Sequence, residues 1–385
     1  MKRHSLKKRI ISLMLILTFT VTGVGSLSTF AYNSKLVTKG LYISTAQCPD
    51  GYMLYTIKNI ARFIMTLELG EFPVNGLITL GTPFCFGNEG SDIFYFPILC
   101  DGNIVFMFRV FPTPYGGYDG VLGKTFVDDL NRLAEKTTET RPLTIIMEGN
   151  KVVTYIGTER EVIFEYPTWI FSESIAVALH DINMPILSRS IVVNAKANDL
   201  YDLCINHGII DEPLPDGISR GILAAYPSSY YIPINTTFEN QNGNDWCNAY
   251  ATACIFRITQ GTSTTAYSVM NRFYSPPKNT DWLSDLQVQL YANYQGLYPT
   301  ITGTLSYSTL ADEISNYRPL IMGMSRTLFL GHAVVLRGYD MNNAIWSIWN
   351  PWYTFCESFN MGGTYVPATN TTITYTYTSS IYHFI

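Results

Sequence analysis

The sequence predicts an α+β protein in two parts. Three observations carry that reading. Between residues 35 and 180, apolar runs come in pairs about Asp101-Gly102 and Gly149-Asn150. A stretch of Pro, Gly and acidic residues follows over Asn198–Gly221. Beyond it, helical text comes first and strand-like text second. Helices segregated from an antiparallel sheet are the α+β layout.

The first 31 residues stand apart. MKRHSLKKR carries five Lys/Arg and no acid, IISLMLILTFTVTGVG is apolar, and Thr29-Phe30-Ala31 offers a small-residue exit. A basic start, an apolar run and such a site predict a secretory signal peptide over 1–31. The alternative is a membrane anchor, for which the apolar run is short. The expectation is an extracellular bacterial protein with no stable membrane association after cleavage.

The β-rich part, 32–225, includes its linker. FYFPILCDGNIVFMFRVF reads as a hairpin turning at Asp101-Gly102, and PLTIIMEGNKVVTYIG as another at Gly149-Asn150. Between them, TFVDDLNRLAEK predicts a helix with Phe126, Leu130 and Leu133 on one face. The second part, 226–385, predicts a helix from Cys247, another over 281–294 and a third over 308–317. Strands follow at RPLIMGMS, HAVVLRGYD, AIWSIW and TTITYTYTS.

Charge narrows the function. The chain has 25 Lys+Arg and 30 Asp+Glu. Removing five cations with residues 1–31 leaves 20 against 30, a net of −10. No basic cluster remains for phosphates, so nucleic acid is not an expected partner. Seven cysteines, Cys48, Cys85, Cys100, Cys204, Cys247, Cys254 and Cys356, are an odd number. Their spacing fits neither a disulfide framework nor a metal site, so most are expected as buried free thiols. No phosphate-binding glycine loop, HExxH or His/Cys cluster appears, and no cofactor is predicted.

One stretch draws chemistry. In QNGNDWCNAYATACIF, Cys247 follows structure-breaking residues and opens a helix. A thiol there is either a small core residue or a nucleophile activated by the helix dipole and an imidazole. After residue 220 the chain has two histidines, His332 and His383. His332 starts a strand after Gly331. His383 lies in the aromatic tail. Asn350 ends the next strand, where an amide oxygen could orient an imidazole, although Asn-Pro is also an ordinary turn. Trp352 could cover that bond. Gln241, six residues before Cys247, could donate to an oxyanion, or simply face solvent.

The order Gln…Cys…His…Asn in these contexts resembles the papain-like cysteine proteases, and more closely the staphopain family of secreted bacterial peptidases. The resemblance lies in QNGNDWCNAY, SVMNRFYSP, GHAVVLRGY, IWNPW and SSIY, and covers residues 232–385. It implies a papain-like catalytic domain of helices plus an antiparallel half-barrel, preceded by a β-rich α+β prodomain. It implies Cys247 as nucleophile, His332 as general base and acid, Asn350 as orienter and Gln241 as oxyanion donor, acting on protein or peptide substrates. It also implies a zymogen whose intramolecular prodomain is released by a cut in the linker, with Arg220-Gly221 one site. Two positions depart from the wider pattern: Asn242 stands where glycine is usual, and Asp245 puts a negative charge near the thiol, which raises its pKa. An inactive scaffold carrying a binding module, and a transamidase, are the alternative readings.

Overall fold

The computed structural model describes residues 40–66, 78–87, 92–113, 116–166, 191–194, 226–327, 330–366 and 374–385. The expected signal peptide and linker, with Arg220 and Cys204, lie outside these residues. In chain order the first part holds β1 (Tyr42–Thr45), α1 (Asp50–Met65), β2 (Ile78–Leu80), β3 (Phe94–Cys100), β4 (Asn103–Pro112) and β5 (Tyr118–Gly123). Then come α2 (Val127–Ala134), β6 (Leu143–Glu148), β7 (Lys151–Ile156), β8 (Glu159–Glu165) and β9 (Ile191–Asn194). The second part holds β10 (Ser229–Tyr231), α3 (Cys247–Gln260), α4 (Ala266–Met270), α5 (Asp285–Tyr294), β11 (Thr300–Thr302) and α6 (Tyr307–Ser315). It ends with β12 (Leu320–Thr327), β13 (Leu330–Asp340), β14 (Ile345–Trp349), β15 (Cys356–Asn360) and β16 (Thr376–Tyr382). The protein is α+β, and no helix of the described residues is long and apolar enough to cross a membrane.

Local chemistry explains the elements that frame the site. Asp101 and Gly102 both take positive φ, at 50° and 80°, which is the two-residue turn that matches the twist of β3 and β4. Helix α3 is built from small residues and ends at Gly261, whose φ of 64° lets the chain leave the helix. The helix expected from 281 begins at Asp285, because Ser284 and Gln287 form a reciprocal capping box there.

Two sheets result. One has the order β8-β7-β6-β1-β9, with β1 and β6 parallel. The other has eleven strands, in the order β11-β16-β12-β13-β14-β15-β5-β4-β3-β2, with β10 added on β13. The larger sheet therefore runs through both parts of the chain. Its junction is β15 with β5, where Ser358 pairs with Leu122 and Phe359 with Val121. The main core is shared as well, since Leu41, Phe86 and Leu143 belong to one buried cluster with Leu336, Trp346 and Tyr365. A second cluster packs α3, α4 and α5 on Ala333, Val335 and Trp349, and all its buried members lie between 246 and 384.

Candidate active site

The site forms where the loop before α3, the start of β13 and the end of β14 converge. The loop is tied down on three sides. Glu239 accepts from Arg257 of α3 at 2.5 Å and from the Ala266 N–H that opens α4 at 3.0 Å. The Gln241 N–H donates to Pro351 O at 2.7 Å, joining this loop to the turn after β14. The Asp245 N–H donates to Asn279 O at 2.8 Å, and Trp246 Nε1 donates to Lys278 O at 2.9 Å.

Cys247 is the first residue of α3 and is half-buried. Burial pushes its thiol up to about 11, against the backbone N–H groups of Ala333, Asn248 and Cys247 itself, which would stabilise a thiolate; Asp245 adds to the rise. The Ala333 N–H belongs to β13, so the sulfur lies one residue along that strand from His332. Burial also holds Asp245 up at about 6.

His332 is buried, and burial pulls it down to about 4, opposed by its hydrogen bond to Asn350. Its Nε2 lies 2.9 Å from Asn350 Oδ1. The Trp352 N–H also meets Oδ1, at 3.0 Å. A backbone N–H can only donate, so the atom facing it is the amide oxygen, and Nε2 of His332 must carry the proton. The indole of Trp352 stacks on the imidazole, with centroids 4.1 Å apart and planes 25° apart. Both rings are buried. His383 is elsewhere, with Nδ1 3.2 Å from Glu313.

Gln241 is buried rather than solvent-facing. Its Nε2 donates to Asn244 O at 2.5 Å, within its own loop. One amide hydrogen is used in that bond, and the second has no acceptor among the described residues. The structure thus brings Cys247, His332, Asn350, Trp352 and Gln241 to one place. Cys254 is deep in α3 and buried, which pushes its thiol to about 12. Among the described cysteines, Cys48, Cys85, Cys100, Cys247 and Cys254 are free thiols.

Three buried residues were not foreseen from sequence. Asn350 Nδ2 donates to Tyr365 Oη at 2.8 Å. The Tyr365 hydroxyl donates to Glu357, and Glu357 pairs with Arg109 of β4. The one available signal was Arg109 itself, a lone cation in the apolar run FMFRVF. Nothing in the sequence named its partner.

Residues 233–377 match the profile of the Peptidase_C39 like family. The match spans Gln241, Cys247, His332, Asn350, Trp352, Glu357 and Tyr365, leaves out Arg109 and His383, and makes this segment similar to cysteine peptidases. It points to that broader class and not to the staphopains in particular. Among solved structures, the crystal structure of xylellain, a cysteine protease from Xylella fastidiosa, is similar over 42% of this chain and 88% of its own. The identity is 14% and the TM-score 0.27. No curated protein sequence matches.

Proposed function

We propose that the protein is an exported cysteine endopeptidase of papain-like mechanism, with Cys247 as nucleophile and His332, oriented by Asn350, as general base and then acid. The observation that carries this reading is the placement of a helix-opening thiol beside the strand that bears an imidazole already hydrogen-bonded to an amide. With Nε2–H committed to Asn350, Nδ1 is the nitrogen that takes the thiol proton as sulfur attacks a peptide carbonyl. The carbonyl oxygen becomes an oxyanion, met by the Cys247 N–H and the second Nε2 hydrogen of Gln241. His332 returns the proton to the leaving amine. Water, deprotonated by the same ring, then releases the acyl group and restores the thiol.

Export rests on the basic and apolar N-terminus, and latency on the first part remaining joined to the second until the linker is cut. The resting protonation of the site fits a latent form, because burial favours both the neutral thiol and the neutral imidazole. The same raised thiol favours the second reading, a weakly active scaffold. Casein hydrolysis, with and without an epoxide thiol inhibitor and beside Cys247→Ala, tests the assignment. Equal hydrolysis by wild type and Cys247→Ala rejects it. A thiol probe that labels Cys247 no faster than Cys254 identifies the scaffold. The mass of the secreted form reports the cuts after Ala31 and in the linker.

A further inference from the structure

A chain of buried polar groups leads from the site into the first part of the protein. Arg109 lies in the middle of β4 and is 1% exposed. A guanidinium stays charged there and requires an anion. Glu357 of β15, equally buried, supplies it. Strand register brings the two together. Arg109 pairs with Val121 of β5, and Val121 with Phe359 of β15. Glu357, two residues from Phe359, points to the same face. Gly123, at the end of β5, leaves room for the pair, since a Cβ there would stand 3.2 Å from Glu357 Oε1.

The chain continues toward the imidazole. Glu357 as a carboxylate only accepts, so the Tyr365 proton is committed to it. The Tyr365 oxygen is then an acceptor, and the group facing it must be the NH2 of Asn350. That turns Oδ1 toward His332. The orientation of Asn350 is thus held from both ends, by Trp352 N–H on its oxygen and Tyr365 on its nitrogen. A second arm reaches the same place. Tyr166, just after β8, meets Trp352 edge-on at 5.8 Å, and Trp352 is the ring stacked on His332.

We infer that Arg109, Glu357 and Tyr365 are positioning residues for the His332–Asn350 pair, and that the N-terminal β-rich region is a working part of the peptidase. The inference rests on the cysteine-peptidase reading above. A cut between 195 and 225 would then leave two pieces held together by the β5–β15 pairing and the Arg109–Glu357 ion pair.

The test uses full-length Tyr365→Phe and Glu357→Gln proteins labelled with 15N-histidine. Two quantities are read: kcat and KM on a fluorogenic peptide, and the ring nitrogen shifts of His332, assigned with His332→Gln. The expected result is a fall in kcat of about tenfold or more with KM nearly unchanged, as for a contact that matters in the transition state. The ring signals should move from a single Nε2–H tautomer to a mixture. Wild-type kcat with unchanged ring signals in both variants overturns the inference. If Tyr365→Phe does not fold, Glu357→Gln, which keeps the shape but can accept at only one end, carries the same readouts. If wild type shows no thiol-dependent hydrolysis either intact or cut in the linker, the peptidase reading fails, while the ring signals still decide the positioning. A chain nicked at an inserted protease site within 195–225 should elute as one species and be at least as active as the intact chain. Full activity from a separated C-terminal piece overturns the second clause.

Discussion

Replacing Arg109 by Met removes the cation and leaves the carboxylate. Both side chains of the pair are essentially inaccessible, at 1% and 0% exposure, so water cannot take the place of the lost partner. Breaking one side of such a buried pair costs about 3–5 kcal/mol, a large share of the roughly 5–15 kcal/mol that keeps a domain folded. The pH dependence has a definite sign. Burial already holds Glu357 above the carboxylate value of 4.5, against the pull of Arg109 and the Tyr365 hydroxyl. Taking Arg109 away raises it further. A carboxylate that binds its proton more tightly when folded loses stability as pH rises above its unfolded value, and regains it on acidification. The deficit of Arg109→Met relative to wild type should therefore be largest near pH 7.5 and shrink toward pH 5. Urea unfolding followed by tryptophan fluorescence at the two pH values measures it; Trp346, Trp349 and Trp352 are all buried near the junction. Arg109→Met/Glu357→Gln, which removes the charge as well, should recover part of the loss. A deficit below about 1 kcal/mol, the range of an exposed pair, would refute the reasoning. So would a deficit that grows on acidification.

Three further outcomes are expected. His332 is held at about 4 against an ordinary 6.5, so its contribution is present above pH 6.5 and is lost as pH falls toward 4. At 1.36 kcal/mol per pH unit the loss is about 3 kcal/mol, and His332→Gln should flatten that limb of the stability curve; an unchanged slope contradicts the placement. Gly123→Ala would set a Cβ 3.1–3.2 Å from Glu357 and Phe355, and should lower stability by about 1–3 kcal/mol; a more stable variant contradicts the tight fit. Asp245, titrating at about 6, bears on the thiol only above that pH. Asp245→Asn should therefore speed iodoacetamide alkylation of Cys247 about threefold at pH 7.5 and leave it unchanged at pH 5. The same gain at both pH values points to altered access instead.

What could be read in the sequence was local. Asp101-Gly102 and Gly149-Asn150 turn their hairpins because two-residue turns are set by the residues in them. Cys247 opens its helix because the preceding Gly-Asn-Asp run resists helix. The constellation was legible because Gln, Cys, His and Asn each carry a distinctive local context. What stayed hidden depends on register across distant strands. Nothing in CESFN announces that this segment forms β15, or that its far edge is completed by β5. Arg109 asked for an anion, but 248 residues separate it from Glu357, and only the Val121–Phe359 register selects that carboxylate among the chain's 30 acids. Tyr365 is one of 27 tyrosines, and its role follows only from the atoms on either side of its hydroxyl.

Burial does two things at this site. It keeps thiol and imidazole neutral at rest, because either charge alone is costly where water is scarce. It also strengthens each donor and acceptor aimed at a charge once that charge forms. In the proposed reaction, the N–H groups of Ala333, Asn248 and Cys247 would act on the sulfur, and Asn350 on the ring, only as the proton moves between them. Stabilisation confined to that moment lowers the barrier without lowering the resting state. Such an arrangement depends on orientation more than on resting charge, since a reversed amide at Asn350 would present hydrogens to Nε2 and drive its proton to Nδ1, the nitrogen that must accept. A buried Arg–Glu pair adds little net stability over apolar side chains of the same volume. Its presence beneath Tyr365 has a physical use all the same: it commits one hydroxyl proton, and through it the direction of one amide.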